Sequence, residues 1–162
     1  MARTDHETRV TPSVLDRLLD FEPKSSTESP KLRSRSLAEL KQSVRRDLEW
    51  LLNSRQYLGY IDENLEEVNK SVAVFGLPDF TGISAKSHLE LKRLTKSVEN
   101  ALKIFETRFL DVKVTLDPIT NTDRLLRFRI EAQLNIEPSP EPIAFDTVLQ
   151  LGSGDFKVKE NR

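Results

Sequence analysis

Cysteine is missing from all 162 positions. That excludes disulfide pairing, thiolate nucleophiles and cysteine-ligated zinc, and it fits a reducing compartment. Histidine is scarce. His6 and His88 are the only two, one in a polar N-terminal stretch and one opening a helical pattern, so both read as surface residues rather than as a catalytic dyad or metal site. With five glycines in the whole chain, no Gly-x-Gly-x-x-Gly or Walker phosphate loop occurs. Gly152-Ser153-Gly154-Asp155 reads as a turn between strands. No cofactor and no metal are expected. No apolar run approaches the roughly 18 residues of a membrane span. The opening MARTDHETRVTPS has no apolar core of the kind a secretory signal needs. A cytoplasmic protein without direct membrane insertion is the expectation. An excess of either charge is missing too: 25 basic and 26 acidic residues leave a net charge of -1. Proteins that live on nucleic-acid phosphates carry a basic excess, so no nucleic acid is expected as a partner.

The length suits one domain plus an arm. Residues 1–35 read as the arm: a polar start, the short amphipathic segment TPSVLDRLLDFEP, then the Ser-, Pro- and charge-rich EPKSSTESPKLRSRS. Pro12 suits a first helical turn, and Val14, Leu15, Leu18 and Leu19 form one apolar stripe. Helices below about 12 residues are marginal alone, so this one is expected to dock on something. Residues 21–35 read as a flexible linker.

Residues 36–162 read as the folded domain. Ser36 and Glu39 make a capping box. Leu37, Leu40, Val44, Leu48, Leu51 and Leu52 keep helical spacing, with Trp50 off the stripe and Lys41, Arg45, Arg46 and Glu49 on the opposite face. A shorter helix is predicted from Glu63 to Val72, with Leu65, Val68 and Val72 inward. VFGLPDFTGIS breaks the pattern yet keeps Phe75, Leu77, Phe80 and Ile83. Such an apolar loop is either a lid on the core or a binding surface. A third helix is predicted over Ser87 to Ile104, with Leu91, Leu94, Val98, Ala101 and Leu102 inward.

After Arg108 the apolar period falls from about three and a half to two. Leu110, Val112, Val114 and Leu116 share a face. Leu126, Phe128, Ile130, Ala132, Leu134 and Ile136 share another, and Ile143, Phe145, Thr147, Leu149 and Leu151 a third. DPITNTD and EPSPEP are turns, and FKVKE is a short fourth strand. Helices followed by an antiparallel meander of three to four strands make an α+β fold.

Catalysis finds little support. A glycosidase needs two carboxylates about 5 to 10 Å apart, one with a raised pKa. Asp16, Asp20 and Glu22 belong to the arm, and Glu63, Glu66 and Glu67 read as a solvated face. Glu106 is flanked by apolar residues, but Arg108 would hold it ionised and make it a poor general acid. No catalytic residue is expected. The interaction features are the stripe Val14, Leu15, Leu18 and Leu19, the apolar loop, and the pair Glu106 and Arg108 at the helix-to-strand handover.

SVLDRLLDFEP, LKQSVRRDLEWLLNSR, SVAVFGLPDFTG, FETRFLDVKV and LRFRIEAQL…FDTVLQL, in that order and spacing, resemble the lysozyme-like wedge proteins of contractile-tail baseplates. The resemblance is to the TssE type found in bacterial type VI secretion systems, and it runs from about residue 12 to residue 151. That family's Glu-Pro-Arg motif stands here as Glu106-Thr107-Arg108, with both charges kept and the proline replaced. The resemblance implies a non-enzymatic subunit of a baseplate docked at an inner-membrane complex. Its implied partners are TssF, TssG and TssK in the baseplate and TssB and TssC in the sheath. It also implies initiation of sheath assembly, with Glu106 and Arg108 presented to the wedge. The rival reading is a peptidoglycan hydrolase. The pairs Glu7/Asp16 and Glu137/Asp146 have the first spacing of phage-type lysozymes, but neither is followed by the threonine that pattern needs.

Overall fold

A computed structural model describes residues 13–19, 24, 37–56, 61–62, 64–80, 82–85, 87–117 and 125–160. Ser36, Glu63, residues 21–23 and 25–35, and most of the DPITNTD turn lie outside these. So do the expected cap at Ser36 and the expected linker.

Among the described residues three α-helices precede four strands: α1 (Val14–Leu18), α2 (Leu37–Asn53), α3 (His88–Phe105), β1 (Phe109–Leu116), β2 (Leu125–Leu134), β3 (Glu141–Gln150) and β4 (Phe156–Glu160). The strands form one antiparallel sheet in the order β1-β2-β3-β4. This is the α+β arrangement that the switch in period predicts. Every residue expected on the inner faces of α3 and β2 is buried, except Ile136, which lies just beyond β2 and is half-buried. α3 packs over β1 and α2 over β4. One face of the sheet is thereby covered, and the alternation along the strands leaves the other polar.

α2 buries Leu40, Val44, Leu48, Leu51 and Leu52, with Leu48 fully inaccessible. At its end Asn53 turns to the sheet. Its Oδ1 accepts from the Phe156 N–H at 2.8 Å, and its Nδ2 donates to the Phe156 carbonyl at 3.0 Å. The amide thus satisfies both backbone groups of the first residue of β4 and fixes helix to strand.

The apolar loop resolves as a core lid. Leu77 is fully buried, and Phe75, Phe80 and Ile83 pack on the core from its edge. The Leu77 N–H donates to the Ser54 carbonyl at 2.9 Å, and the Gln56 N–H donates to the Leu77 carbonyl at 3.1 Å. Gly76 makes this approach possible. Its φ is +106°, and a Cβ there would sit 2.4 Å from the Ser54 oxygen, so both the backbone angle and the space require glycine.

Two expectations are corrected. The helix predicted from Glu63 to Val72 is instead two 3₁₀ turns, Val68–Lys70 and Val72–Val74. Leu65, Val68 and Val72 face solvent, Val72 at 88% exposure. Polar side chains here bond the backbone locally: Asn69 Nδ2 donates to the Asp62 and Leu65 carbonyls, and the Ser71 hydroxyl to the Val68 carbonyl. Such bonds compete with a continuous helix.

The second correction concerns β1. Phe109, not Leu110, is buried, and Leu110 is only half-buried. A β-bulge between Leu110 and Lys113, with Asp111 at φ +52°, inserts one residue against β2. The inward set becomes Phe109, Val112 and Val114. A strict alternation read backwards from Val112 lands one residue off.

Candidate functional site

The handover from α3 to β1 is where the chain concentrates charge out of water. Glu106 ends α3, its N–H donating to the Leu102 carbonyl at 3.0 Å, and the Phe109 N–H closes the turn on the Glu106 carbonyl at 3.1 Å. With Phe109 inside the core, Arg108 points back across the turn. Its Nε donates to Glu106 Oε1 at 2.7 Å and its Nη2 to Oε2 at 2.5 Å. This fork-to-fork geometry fixes both planes. The Glu106 side chain is 7% exposed and that of Arg108 24%. Thr107 is exposed in the same turn.

The pair does not stand alone. Arg108 Nη2 also donates to Asp47 Oδ2 at 2.8 Å, and its Nη1 to the Ser43 hydroxyl at 3.3 Å. Asp47 Oδ1 accepts from Arg46 Nε at 2.9 Å and Nη2 at 2.8 Å. Arg46 Nη2 reaches on to Asp16 Oδ1 at 3.0 Å. One chain of alternating charge, Glu106–Arg108–Asp47–Arg46–Asp16, therefore connects the end of α3, one side of α2, and α1. Three acids against two arginines leave the row at -1 when all are ionised.

Asp16 is the buried terminus of that row, with its side chain 1% exposed. Burial alone would raise its pKa. The hydrogen bond from Ser13 and the contact with Arg46 outweigh this and hold the carboxyl below its ordinary value, with Ser43 adding to the same effect. Ser13 and Asp16 form a capping box at the start of α1: the Ser13 hydroxyl donates to Asp16 Oδ2 at 2.7 Å, and the Asp16 N–H donates to the Ser13 hydroxyl at 3.1 Å. Burial likewise works against the charge on Arg108, and Glu106 followed by Asp47 more than reverses it, so the guanidinium is firmly cationic. In Arg46, Asp47 and Asp16 overcome burial in the same sense. The Arg46 guanidinium also lies 5.3 Å from the centroid of the Trp50 ring, within cation–π range.

The expected site residues fall into two groups. Glu106 and Arg108 are joined to each other, but the image of a charged pair held out to a partner needs correcting. The Glu106 carboxylate is buried, and the fork turns inward onto α2. Val14, Leu15 and Leu18 of the stripe do lie on a short helix and Leu19 caps it, yet the enclosed side chain that joins α1 to α2 is Asp16. The stripe's exposures run from 38% to 76%. Sequence reasoning placed Asp16 among the arm carboxylates without a role and passed over Ser43 and Asp47. Two signals point to them: the Ser13-x-x-Asp16 spacing of a capping box, and Ser43 standing as a small polar residue on the apolar stripe of α2.

A solvent-open cavity of about 400 Å³ lies between α3 and the apolar loop, lined by Gln56, Asn69, Gly76, Ser97, Asn100 and Phe105 among others. None of its described lining residues is ionisable, so these offer no acid–base pair of the kind glycoside hydrolysis needs. Among the described residues no group of three or more His, Asp or Glu side chains is placed to hold a metal ion, and no helix is long and apolar enough to cross a membrane.

Compared with known protein families, residues 38–139 match the model described as baseplate wedge protein gp25. Neither the curated proteins nor the solved structures give a match to the chain. The matched span runs from the start of α2 to the turn before β3. It contains Ser43, Arg46, Asp47, Glu106 and Arg108 and leaves α1 and Asp16 outside.

Proposed function

This chain belongs to the gp25 family of baseplate wedge proteins, and from that premise we propose that it joins the wedge of a type VI secretion baseplate and starts assembly of the contractile sheath. The family makes it a structural component of a contractile-tail baseplate. The finer reading assigns it TssF, TssG and TssK as wedge partners, TssB and TssC as sheath partners, and a cytoplasmic place on a baseplate docked at the inner-membrane complex.

The observation that supports the sheath role is the outer edge of β4. Among the described residues no strand pairs with that edge. The backbone groups of Phe156 that face it are taken by Asn53. By the two-residue period of a strand, those of Val158 face the same way, and among the described residues no side chain bonds them. An edge with free N–H and C=O groups can take a strand from another chain. Lys157 and Lys159 are exposed along it, which disfavours self-pairing between copies by like charge while admitting an acidic strand. The β1 edge is less suited, because the bulge at Asp111 breaks its ladder.

The wedge role rests on the Glu106–Arg108 fork, which orders the turn while leaving about a quarter of the Arg108 side chain accessible beside Asp47. A partner approaching there meets preorganised donors.

The test is capture by the tagged chain of baseplate and sheath subunits from its host, compared with a Val158→Pro variant. Proline removes the outward N–H and is tolerated at an edge position, but Val158 is buried, so the variant's melting temperature is measured alongside to show that it stays folded. The expected result is a folded variant that keeps the wedge subunits and loses sheath assembly. Full sheath assembly by the variant would remove β4 from the reading, and failure of the parent chain to bring down any baseplate subunit would remove the baseplate role.

A further inference from the structure

A five-residue helix held to a body normally buries its apolar side. α1 does the reverse: Val14 and Leu18 are 65% and 76% exposed, while its acid is almost fully enclosed. Among the described residues the polar hold of the arm on α2 therefore comes from one carboxylate, with Leu15 and Leu19 partly covered beside it. That carboxylate sits in a receptor made by the body. Arg46 Nη2 donates to Oδ1 at 3.0 Å, and Ser43, one turn earlier on α2, adds a hydrogen bond. Residues three apart on a helix share a face, so Ser43 and Arg46 converge on one point. Both are tied from behind. Asp47 orients the Arg46 guanidinium, and Arg108 donates to the Ser43 hydroxyl, which turns the Ser43 proton outward towards Asp16. The receptor is thus preorganised by groups that stay in place if Asp16 leaves.

We propose that Ser43 and Arg46 form a carboxylate seat, that Asp16 fills it as a built-in pseudo-ligand, and that an acidic side chain of a protein partner takes it over as the arm lifts. Two observations favour exchange over permanent docking. The described arm forfeits limited buried apolar surface on leaving, since Val14 and Leu18 are mostly in water and only Leu15 and Leu19 are partly covered. The seat gains an equivalent ion pair from the incoming acid, so charge is conserved in the exchange. Lifting also uncovers the remaining parts of Leu15 and Leu19 beside the already exposed Val14 and Leu18, so the stripe and the seat can meet the same partner in one event. The latch itself concerns the isolated chain. The identity of the displacing acid as a baseplate subunit's rests on the family reading above.

The experiment uses full-length chain and a synthetic peptide of residues 11–20 as the probe. Amide hydrogen exchange over residues 13–19 is measured in the parent, in Asp16→Asn, which keeps the shape and removes the charge, and in Asp16→Ala. Exchange of the arm should rise by roughly tenfold or more in both variants, the loss expected for one hydrogen bond to a charged group. Exchange in α2 and α3 should stay unchanged. The peptide should bind Asp16→Ala and not the parent, and a peptide carrying the Asp16→Asn change should bind roughly tenfold more weakly. The single tryptophan, Trp50, reports the event because Arg46 lies over its ring. Unchanged arm protection in both variants would overturn the latch, as would equal peptide binding to parent and Asp16→Ala. If the latch behaves as described but purified baseplate subunits fail to increase arm exchange in the parent, the partner half falls and the latch stands.

Discussion

Two short segments are fastened to α2 by opposite means. The loop at 75–83 is tied in by apolar burial: Leu77 is fully enclosed, Gly76 lets its backbone touch Ser54, and aromatic side chains flank it. The arm helix α1 is tied in by charge, with its carboxylate enclosed and Val14 and Leu18 mostly in water. Burial of a leucine is non-directional and strong, and what replaces it on release is a cavity or exposed oil. A buried ion pair is directional and close to balanced against water and competing ions. The first mode makes a permanent part of the body and the second a replaceable attachment.

That contrast breaks most visibly on the apolar side. Leu77→Ala should cost about 2–5 kcal/mol, and Leu48→Ala in the middle of α2 about the same, read as a large drop in melting temperature. Gly76→Ala should do at least as much harm, because the added carbon meets the Ser54 carbonyl at a φ that only glycine adopts freely. A melting temperature unaltered by Leu77→Ala would move the loop from lid to surface.

The junction should come next. Glu106→Ala leaves a largely buried Arg108 with Asp47 as its remaining acid, and a loss of about 1–3 kcal/mol follows from orphaning a charged donor. The variant should still fold, since Asp47 remains in reach. It should capture fewer wedge subunits than its lowered stability explains. Melting equal to that of the parent would show that the fork is dispensable to the fold.

The latch should show a smaller global effect and a local one. Asp16→Asn should lower overall stability by about 1.4 kcal/mol, the tenfold loss of arm protection converted to free energy. The acid dependence follows from the sign of the shift. The folded carboxyl lies below 3.8, so its contribution is complete above that value and is lost as pH falls through the lower folded one. The charged groups it faces are Arg46 and, behind it, Asp47, while Ser13 and Ser43 carry no charge. Arm protection should be equal at neutral and mildly acidic pH and should fade only below 3.8. Fading between pH 6 and 7 would point to another group. The smallest effect should come from Leu18→Ser, whose side chain is in water: stability should shift by less than about 0.5 kcal/mol, while partner capture should fall. Unchanged capture would leave the stripe without a use.

The sequence carried the fold wherever one period ran long enough. α2, α3 and the meander follow from spacing alone, because each buries one continuous face. It failed where short polar groups or a single inserted residue override spacing. Asn69 and Ser71 took over backbone carbonyls where a helix was expected, and Asp111 shifted the phase of β1. Of the site, Glu106 and Arg108 were legible as a charged pair between two rhythms. Their inward turn was not, since Asp47 and Ser43 lie about sixty residues away in sequence and meet them only through α2 packing. Asp16 was hidden more thoroughly, because nothing local separates a buried acid in an arm from a solvated one.

The bulge in β1 sets the facing of the whole junction. Neighbouring residues of a strand point to opposite sides, so one extra residue acts as a half-turn inserted into the thread. Upstream of Asp111 it puts Phe109 inside and so turns Arg108 towards α2; downstream it leaves Val112 and Val114 where β2 needs them. A chain lacking Asp111 would keep its sheet and rotate its handover, carrying Phe109 outward and swinging the guanidinium away from Asp47. The alignment between the charged row and the core is therefore a matter of counting, held by one residue whose own side chain lies in water.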